Sequence, residues 1–360
     1  MARPPTLHLR SEDKPLEHRS ALTPATAKAL LAAGYAVNVE RSPARIFDDA
    51  EFAAVGARLV PEHSWAAAPV DDIIVGLKEL PEASFPLQHT HVQFAHCYKQ
   101  QSGWQQVLAR FPRGGGTLLD LEFLTDDKGR RAWAYYLANP AATTMPAVKP
   151  FANQALLLDA VRAALQAGKQ IAHGGPRVLV VGALGRCGRG AVDLCKQAGI
   201  PDHSILQWDL AETAKGGPFA EIVESDIFVN CIYLSEPMAP LINSASLSSA
   251  SRKLSVVCDV SCDTTNPHNP VPIYTENSTF ASPTLAVAGY QDPPLHVISI
   301  DHLPSLLPRE SSEVFSQALL PSLLTLNDGK TTRVWQQAEE LFKTKVASLP
   351  AELQAKDEEK

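Results

Sequence analysis

No apolar run in this chain of 360 residues approaches the ~20 residues that a membrane span needs, so a membrane partner is not expected. The opening residues do not read as a secretory signal either. Positive charge is in short supply. Thirty-two Lys and Arg stand against 39 Asp and Glu, and the net charge of -7 argues against nucleic acid as the main partner. A small anionic substrate is still open, because local arginines decide that. The 6 cysteines include no C-x-x-C pair and are too sparse for a disulfide scaffold. Reduced thiols in the cytoplasm are the expectation. There is no repeat of solenoid period and no low-complexity tract. What is there is ordinary globular material, 45% hydrophobic and 20% charged, long enough for two domains.

The most informative stretch is RVLVVGALGRCGRG, Arg177 to Gly190. Val178 to Val181 form an unbroken apolar run, which reads as a strand buried on both faces. Gly182, Gly185 and Gly188 follow at three-residue spacing, and Ala191 to Gly199 reads as a helix. Strand, glycine turn and helix together make an anion site, since glycines let backbone approach a pyrophosphate and a helix N-terminus offers free N–H groups. The spacing departs from G-x-G-x-x-G, with Leu184 near the place of the second glycine. The next strand, Ser204 to Leu210, contains Asp209 near its end, about 20 residues past the loop, where a carboxylate would hold ribose hydroxyls. No arginine follows Asp209 directly, which favours NAD over NADP.

Strands and helices alternate through the first half. Thr6 to Arg10 reads as a strand, and Thr23-Pro24 opens a helix that Gly34 ends. Further strands are expected at Tyr35 to Glu40, Asp72 to Gly76, His91 to His96 and Thr117 to Phe123. Helices are expected at Ile46 to Ala54 and Ser102 to Phe111. Asn153 to Gln166 reads as a helix capped by Gly168. In the second half, strands are expected at Asp226 to Tyr233, Leu254 to Val260 and His296 to Ile300, with closing helices at Glu310 to Leu326 and Thr332 to Val346. This order implies parallel sheets.

In open α/β sheets, ligands bind beyond the C-terminal ends of strands. Lys78, His96, Lys99, Gln101, Tyr233, Ser261 to Asp263, Asp301 and His302 all follow such ends. A buried lysine near other cations loses basicity and can serve as a base. Equally, Lys78 could be a solvated loop residue. His89 and His91 share a strand face and His96 does not, so the trio reads as mostly structural rather than as a metal site, with His96 the functional candidate. Adjacent Arg130 and Arg131 suit carboxylate or phosphate binding, or form a surface pair. Cys187 and Cys231 could lie close together, and a dithiol without a role is the reading taken.

The stretches LHLRSEDKPLEHRSALTP, IIVGLKELPE, HVQFAHCYKQQSGW, LLDLEFLTDDKGRR, VVGALGRCGRGAVDL, CDTTNPHNPVPIYT and VISIDHLPSLLPRE closely resemble the fungal-type saccharopine dehydrogenase family, NAD-dependent and L-lysine-forming. More distantly the chain is similar to alanine dehydrogenase and the transhydrogenase domain, which share an E-x-R, here Glu17 and Arg19. The resemblance implies an α/β fold of two Rossmann-like domains with parallel sheets around a central cleft. Residues 1–139 with 306–360 would form the substrate and catalytic domain, and 140–305 the NAD-binding domain. It implies oxidation of saccharopine with NAD to L-lysine and 2-oxoglutarate, by a cytoplasmic monomer without a metal. Lys78 matches the family's base and His96 its acid–base group. Arg19, Lys99, Gln101, Arg131, Tyr135, Ser261, Cys262 and Asp263 match substrate positions. Arg130, Gly185, Arg186, Asp209, Thr213, Tyr233, Val260, Ile300, Asp301, His302 and Leu303 match NAD positions.

One segment departs from the family. After Arg131 a glycine-rich helix is usual, whereas this chain reads AWAYYLANPAATTMPAVKP, shorter and with prolines at 140, 146 and 150. Two further readings follow from that and from the distant relatives: an NAD-binding protein silenced by the shortened segment, or an alanine dehydrogenase-like enzyme.

Overall fold

The structure is a computed structural model and describes residues 5–81, 83–99, 103–124, 147–169, 176–232, 238–262, 264, 268–328 and 332–354. Gln101, Arg130, Arg131, Tyr135, Tyr233 and Asp263 lie outside the described residues. The chain divides into two compact units, one of Met1–Trp133 with Pro308–Lys360 and the other of Ala134–Leu307.

Among the described residues the first unit holds six strands: β1 (Thr6–Leu9), β2 (Ala36–Glu40), β3 (Arg58–Val60), β4 (Ile73–Val75), β5 (Thr90–Gln93) and β6 (Thr117–Asp120). They lie in the order β3-β2-β1-β4-β5-β6, and every pairing is parallel. Strand order therefore reverses between β1 and β4, the point where an open sheet leaves a crevice for ligands. Helix Pro24–Ala32 begins as its sequence suggests. Thr23 is the N-cap, its side chain accepts the Thr26 N–H, and the Thr26 hydroxyl returns the bond to the Thr23 backbone. This helix meets helix Pro308–Leu323 through small hydroxyl side chains, with Thr26 Oγ1 2.6 Å from Ser316 Oγ and the Ser20 N–H donating to Ser312 Oγ at 2.9 Å. Helix Arg333–Ala347 sets Phe342 edge-on to Phe111, in a core that also holds Trp65, Ile74, Leu108 and Leu118.

The second unit contains β7 (Val178–Val181), β8 (Ile205–Trp208), β9 (Ile227–Asn230), β10 (Val256–Asp259), β11 (Leu285–Gln291) and β12 (Pro294–Ile298), in the order β11-β12-β10-β9-β7-β8. The run Val178 to Val181 is buried on both faces, as its composition implies. Val178 and Val180 join one apolar cluster with Ile227, Val229, Val256 and Cys258, while Leu179 and Val181 join another with Phe228, Val257 and Val297. Alternation along each strand divides the side chains between the two faces. Burying each such side chain contributes roughly 1.5–3 kcal/mol.

Four expectations need correction. β11 is an additional strand, antiparallel to β12, so the second sheet is mostly rather than wholly parallel. β3 is likewise additional. The helix expected to stop at Gly168 runs from Gln154 to Lys169, so Gly168 lies within it. β5 ends at Gln93, which leaves His96 in the loop beyond the sheet.

Candidate active site

Side chains from four strand ends gather at the C-terminal edge of the first sheet. Beyond β1, Glu17 and Arg19 form a bidentate pair, with Arg19 Nε donating to Glu17 Oε1 at 2.7 Å and Nη2 to Oε2 at 2.5 Å. Beyond β4 comes Lys78, which is 9% exposed, followed by Glu79. Beyond β5 comes His96, whose ring stacks on Phe94 with 6.2 Å between centroids. His96 Nε2 lies 3.6 Å from Glu79 Oε2, and Lys14 Nζ lies 3.3 Å from Glu79 Oε1. Burial pushes the Glu79 carboxyl up, yet Lys14, Lys78 and His96, with a backbone donor, bring it below its ordinary value. One carboxylate thus feels the charges of both the lysine and the histidine that sequence singled out.

Beyond β6, Glu122 Oε1 pairs with Lys99 Nζ at 2.5 Å. Asp120 ends the strand and is 2% exposed. Its Oδ1 accepts the Glu122 N–H at 2.9 Å, and its Oδ2 accepts the Ala95 N–H at 3.4 Å. Burial, reinforced by the Glu122 charge, pushes the Asp120 carboxyl up to about 7. His96 has φ 51°, a left-handed conformation in which a non-glycine residue is strained.

In the second unit the glycine turn is built as a phosphate cradle must be. Gly182 has φ 79°, and its N–H donates to Trp208 O at 2.8 Å. A Cβ on Gly188 would sit 2.1 Å from Gly182 O and 2.6 Å from Ala183 Cα, so only glycine lets the helix pack this closely on the strand end. That helix spans Arg186–Gln197, three turns with Gly185 as an N-cap that brings no side chain of its own. Its first-turn N–H groups are therefore available to an anion. Asp209 follows β8 directly and faces the turn: its Oδ2 accepts the Leu184 N–H at 3.0 Å and its Oδ1 the Leu210 N–H at 2.9 Å. The Thr213 hydroxyl donates to Asp209 O at 2.8 Å. Each Asp209 oxygen keeps capacity for a further donor, as a ribose would need. These residues fit a dinucleotide.

The remaining sequence-derived residues follow the ends of β10 and β12. The Val260 N–H donates to Asn230 O at 2.9 Å. Ser261 Oγ donates to Asp259 Oδ1 at 2.7 Å, and Cys262 adopts φ 51° with its Sγ 2.9 Å from Asp259 O. Ile300 and Leu303 are buried in the apolar cluster of this unit. Asp301 is exposed, and the ring of His302 stands edge-on to Phe280 at 4.8 Å. Cys187 and Cys231 are free thiols, and burial, then the neighbouring Cys187, pushes the Cys231 thiol far up.

Sequence reasoning missed the supports of these groups. Asp259 is one: Asn230 Nδ2 donates to its Oδ1 at 3.0 Å and the Tyr274 hydroxyl to its Oδ2 at 2.7 Å. Asp120, Arg10 and Glu12 are the others. Among the described residues no cluster of His, Cys, Asp and Glu could hold a metal ion, and no helix is long and apolar enough to cross a membrane.

Two six-stranded sheets with a glycine turn and a polar strand-end cluster define a two-domain α/β dehydrogenase fold. L-alanine dehydrogenase superposes with a TM-score of 0.62 at 18% identity, covering 94% of this chain and 93% of that one. Transhydrogenase from Sinorhizobium meliloti gives 0.54 at 16%, covering 89% and 94%. Residues 8–141 match the family described as alanine dehydrogenase/PNT, N-terminal domain. Much nearer in sequence are two curated proteins named saccharopine dehydrogenase [NAD(+), L-lysine-forming]. The one from Emericella nidulans is 59% identical, covering 95% of this chain and 97% of its own length. The one from Neurospora crassa is 60% identical, covering 96% and 98%. The chain belongs to the NAD-dependent, L-lysine-forming saccharopine dehydrogenase family.

Proposed function

We propose that this chain oxidises saccharopine with NAD, releasing L-lysine and 2-oxoglutarate. The observation that carries the reading is the grouping of Lys78 and His96 about Glu79 at the reversal point of the first sheet. NAD, when bound, would supply the hydride acceptor. Gly185, Arg186, Asp209, Thr213, Val260, Ile300, Asp301, His302 and Leu303, with Arg130 and Tyr233, would hold it. The carboxylate of Asp209 suits a free 2′-hydroxyl and repels a 2′-phosphate, which favours NAD over its phosphorylated form.

Saccharopine carries three carboxylates and a secondary amine. Arg19 and Lys99, with Arg131, would receive carboxylates, while Gln101, Tyr135, Ser261, Cys262 and Asp263 would complete the substrate contacts. Arg19 and Lys99 each sit against a carboxylate of the protein, Glu17 and Glu122, so their charge is balanced before substrate arrives. Lys78 would take the proton from the secondary amine, as an amine base must before hydride can leave the adjacent carbon. His96, in a loop and 40% exposed at its side chain, would pass protons to and from the water that opens the imine. A cytoplasmic monomer completes the reading, in keeping with six free thiols.

The test is NADH formation from saccharopine and NAD. Wild-type protein is expected to turn over, and Lys78→Met to lose at least about a hundredfold in kcat while still binding NAD by calorimetry. NAD binding without turnover of saccharopine by the wild-type chain would refute the proposal. Turnover of alanine in its place would select the alanine dehydrogenase-like reading.

A further inference from the structure

The base proposed above sits on a peptide that two other side chains hold from both ends. Arg10 and Glu12 leave the end of β1 two residues apart. Both side chains reach the Leu77–Lys78 segment, whereas Ser11 turns to Glu40. Ser11 is anchored there by Glu40, whose Oε2 accepts the Ser11 N–H at 2.8 Å and its hydroxyl at 3.1 Å. Glu12 Oε1 accepts the Leu77 N–H at 2.7 Å and Oε2 accepts the Lys78 N–H at 2.9 Å. The Arg10 guanidinium donates to the Lys78 carbonyl and lies 3.4 Å from Glu12.

Gly76 makes room for this. A Cβ there would stand 2.4 Å from Arg10 Nε and 2.6 Å from its Cζ. The pair is out of solvent, with side-chain exposures of 0% for Arg10 and 6% for Glu12. Burial pushes the Glu12 carboxyl up, and Arg10 with the Leu77 and Lys78 N–H groups opposes that. Burying such a pair is costly unless it is paired and hydrogen-bonded, and here both conditions hold. Three of the bonds they make are to the backbone of Leu77 and Lys78, and Arg10 Nη1 also donates to Ser11 O at 2.9 Å. A hydrophobic pair of the same volume would fill the space but remove the bonds that the Lys78 N–H and C=O now make to these two side chains.

We propose that Arg10 and Glu12 are positioning residues, a clamp that fixes the Lys78 peptide and so aims its amine at the substrate nitrogen. Neither is a catalytic residue. The proposal rests on the base role given to Lys78, and a misplacement of about 1 Å at such a group costs on the order of a hundredfold in rate.

Glu12→Gln tests it, because an NH2 donor then takes the place of one of the two acceptor oxygens and faces an N–H. The rate constant for NADH appearance in a single turnover is expected to fall at least about tenfold, with KM for NAD unchanged within about twofold. That rate constant does not depend on how much of the sample is folded, so a loss of stability alone would not move it. Amide exchange of the Leu77–Lys78 peptide is expected to accelerate. Should Glu12→Gln fail to fold, Gly76→Ala decides, since it displaces the guanidinium while keeping both side chains. A single-turnover rate within about twofold of wild type in a folded variant, or unchanged exchange at Leu77–Lys78, overturns the clamp. Failure of the wild-type chain to oxidise saccharopine would instead sink the proposed function, and the exchange measurement would still decide whether the clamp exists.

Discussion

His91 and Asp120 are expected to pull the stability of the first unit in opposite directions as pH changes. His91 lies on β5, 0% exposed, with Trp65 and Phe111 standing edge-on to its ring at 5.3 Å and 5.5 Å. Burial, then the charges of Arg10, His89 and Arg110, lower its pKa from 6.5 to about 3. Below pH 6.5 the unfolded chain takes up a proton that the folded one refuses, so stability falls by about 1.4 kcal/mol per pH unit on acidification. Asp120 has the opposite sign. Its pKa is raised from 3.8 to about 7, so between these values the folded chain keeps a proton that the unfolded chain releases. Stability then falls at about the same slope as pH rises. Across the shared window the two contributions cancel.

Removing either group unmasks the other. Relative to wild type, His91→Leu should gain about 3 kcal/mol as pH drops by two units within that window. Asp120→Asn should lose about as much over the same interval. Asparagine can accept only one of the two N–H groups, but that constant penalty does not alter the slope. Urea unfolding followed by amide exchange in β5 and β6 reads the first unit alone. Parallel pH curves for wild type and both variants would refute the reasoning.

Two predictions concern the second unit. Gly188→Ala must move the helix about 1 Å off the strand end to relieve its contact with Gly182 O. It is expected to weaken NAD binding at least about tenfold in calorimetry and to cost 1–3 kcal/mol or so in urea unfolding. An apolar cavity of about 40 Å³ lies against β9, lined in part by Val161, Val178, Cys195, Val229 and Cys258. Val229→Ile should fill it and raise stability by roughly 1 kcal/mol, read as a higher urea midpoint, whereas a lower midpoint would mean the space is not there.

Much of the frame was legible in the sequence because it depends on local pattern. The run Val178 to Val181, the glycine spacing and Asp209 all stand where a strand, a turn and a following strand end require them. β11 was not legible. Its residues, LAVAGYQ, include glycine and two alanines, which are weak strand formers, and pairing with β12 supplies the order that propensity lacks. The helix at Arg186 starts among glycines that propensity reads as loop, and close packing on β7 overrides that. Glu12 and Asp120 were missed for another reason. Their partners are backbone N–H groups, at Leu77 and Lys78 for Glu12 and at Ala95 and Glu122 for Asp120, and a sequence does not mark where an amide needs an acceptor.

The left-handed backbone at His96 has a bearing on how this protein would respond to laboratory evolution. Glycine or asparagine tolerates that conformation better than an imidazole-bearing residue does, with a relief of about 1 kcal/mol. Selection for heat resistance alone would be drawn to position 96, and the variants it enriched would be sturdier proteins without the proton carrier proposed above. A useful selection would therefore reward growth that depends on lysine, so that survival and chemistry are judged together.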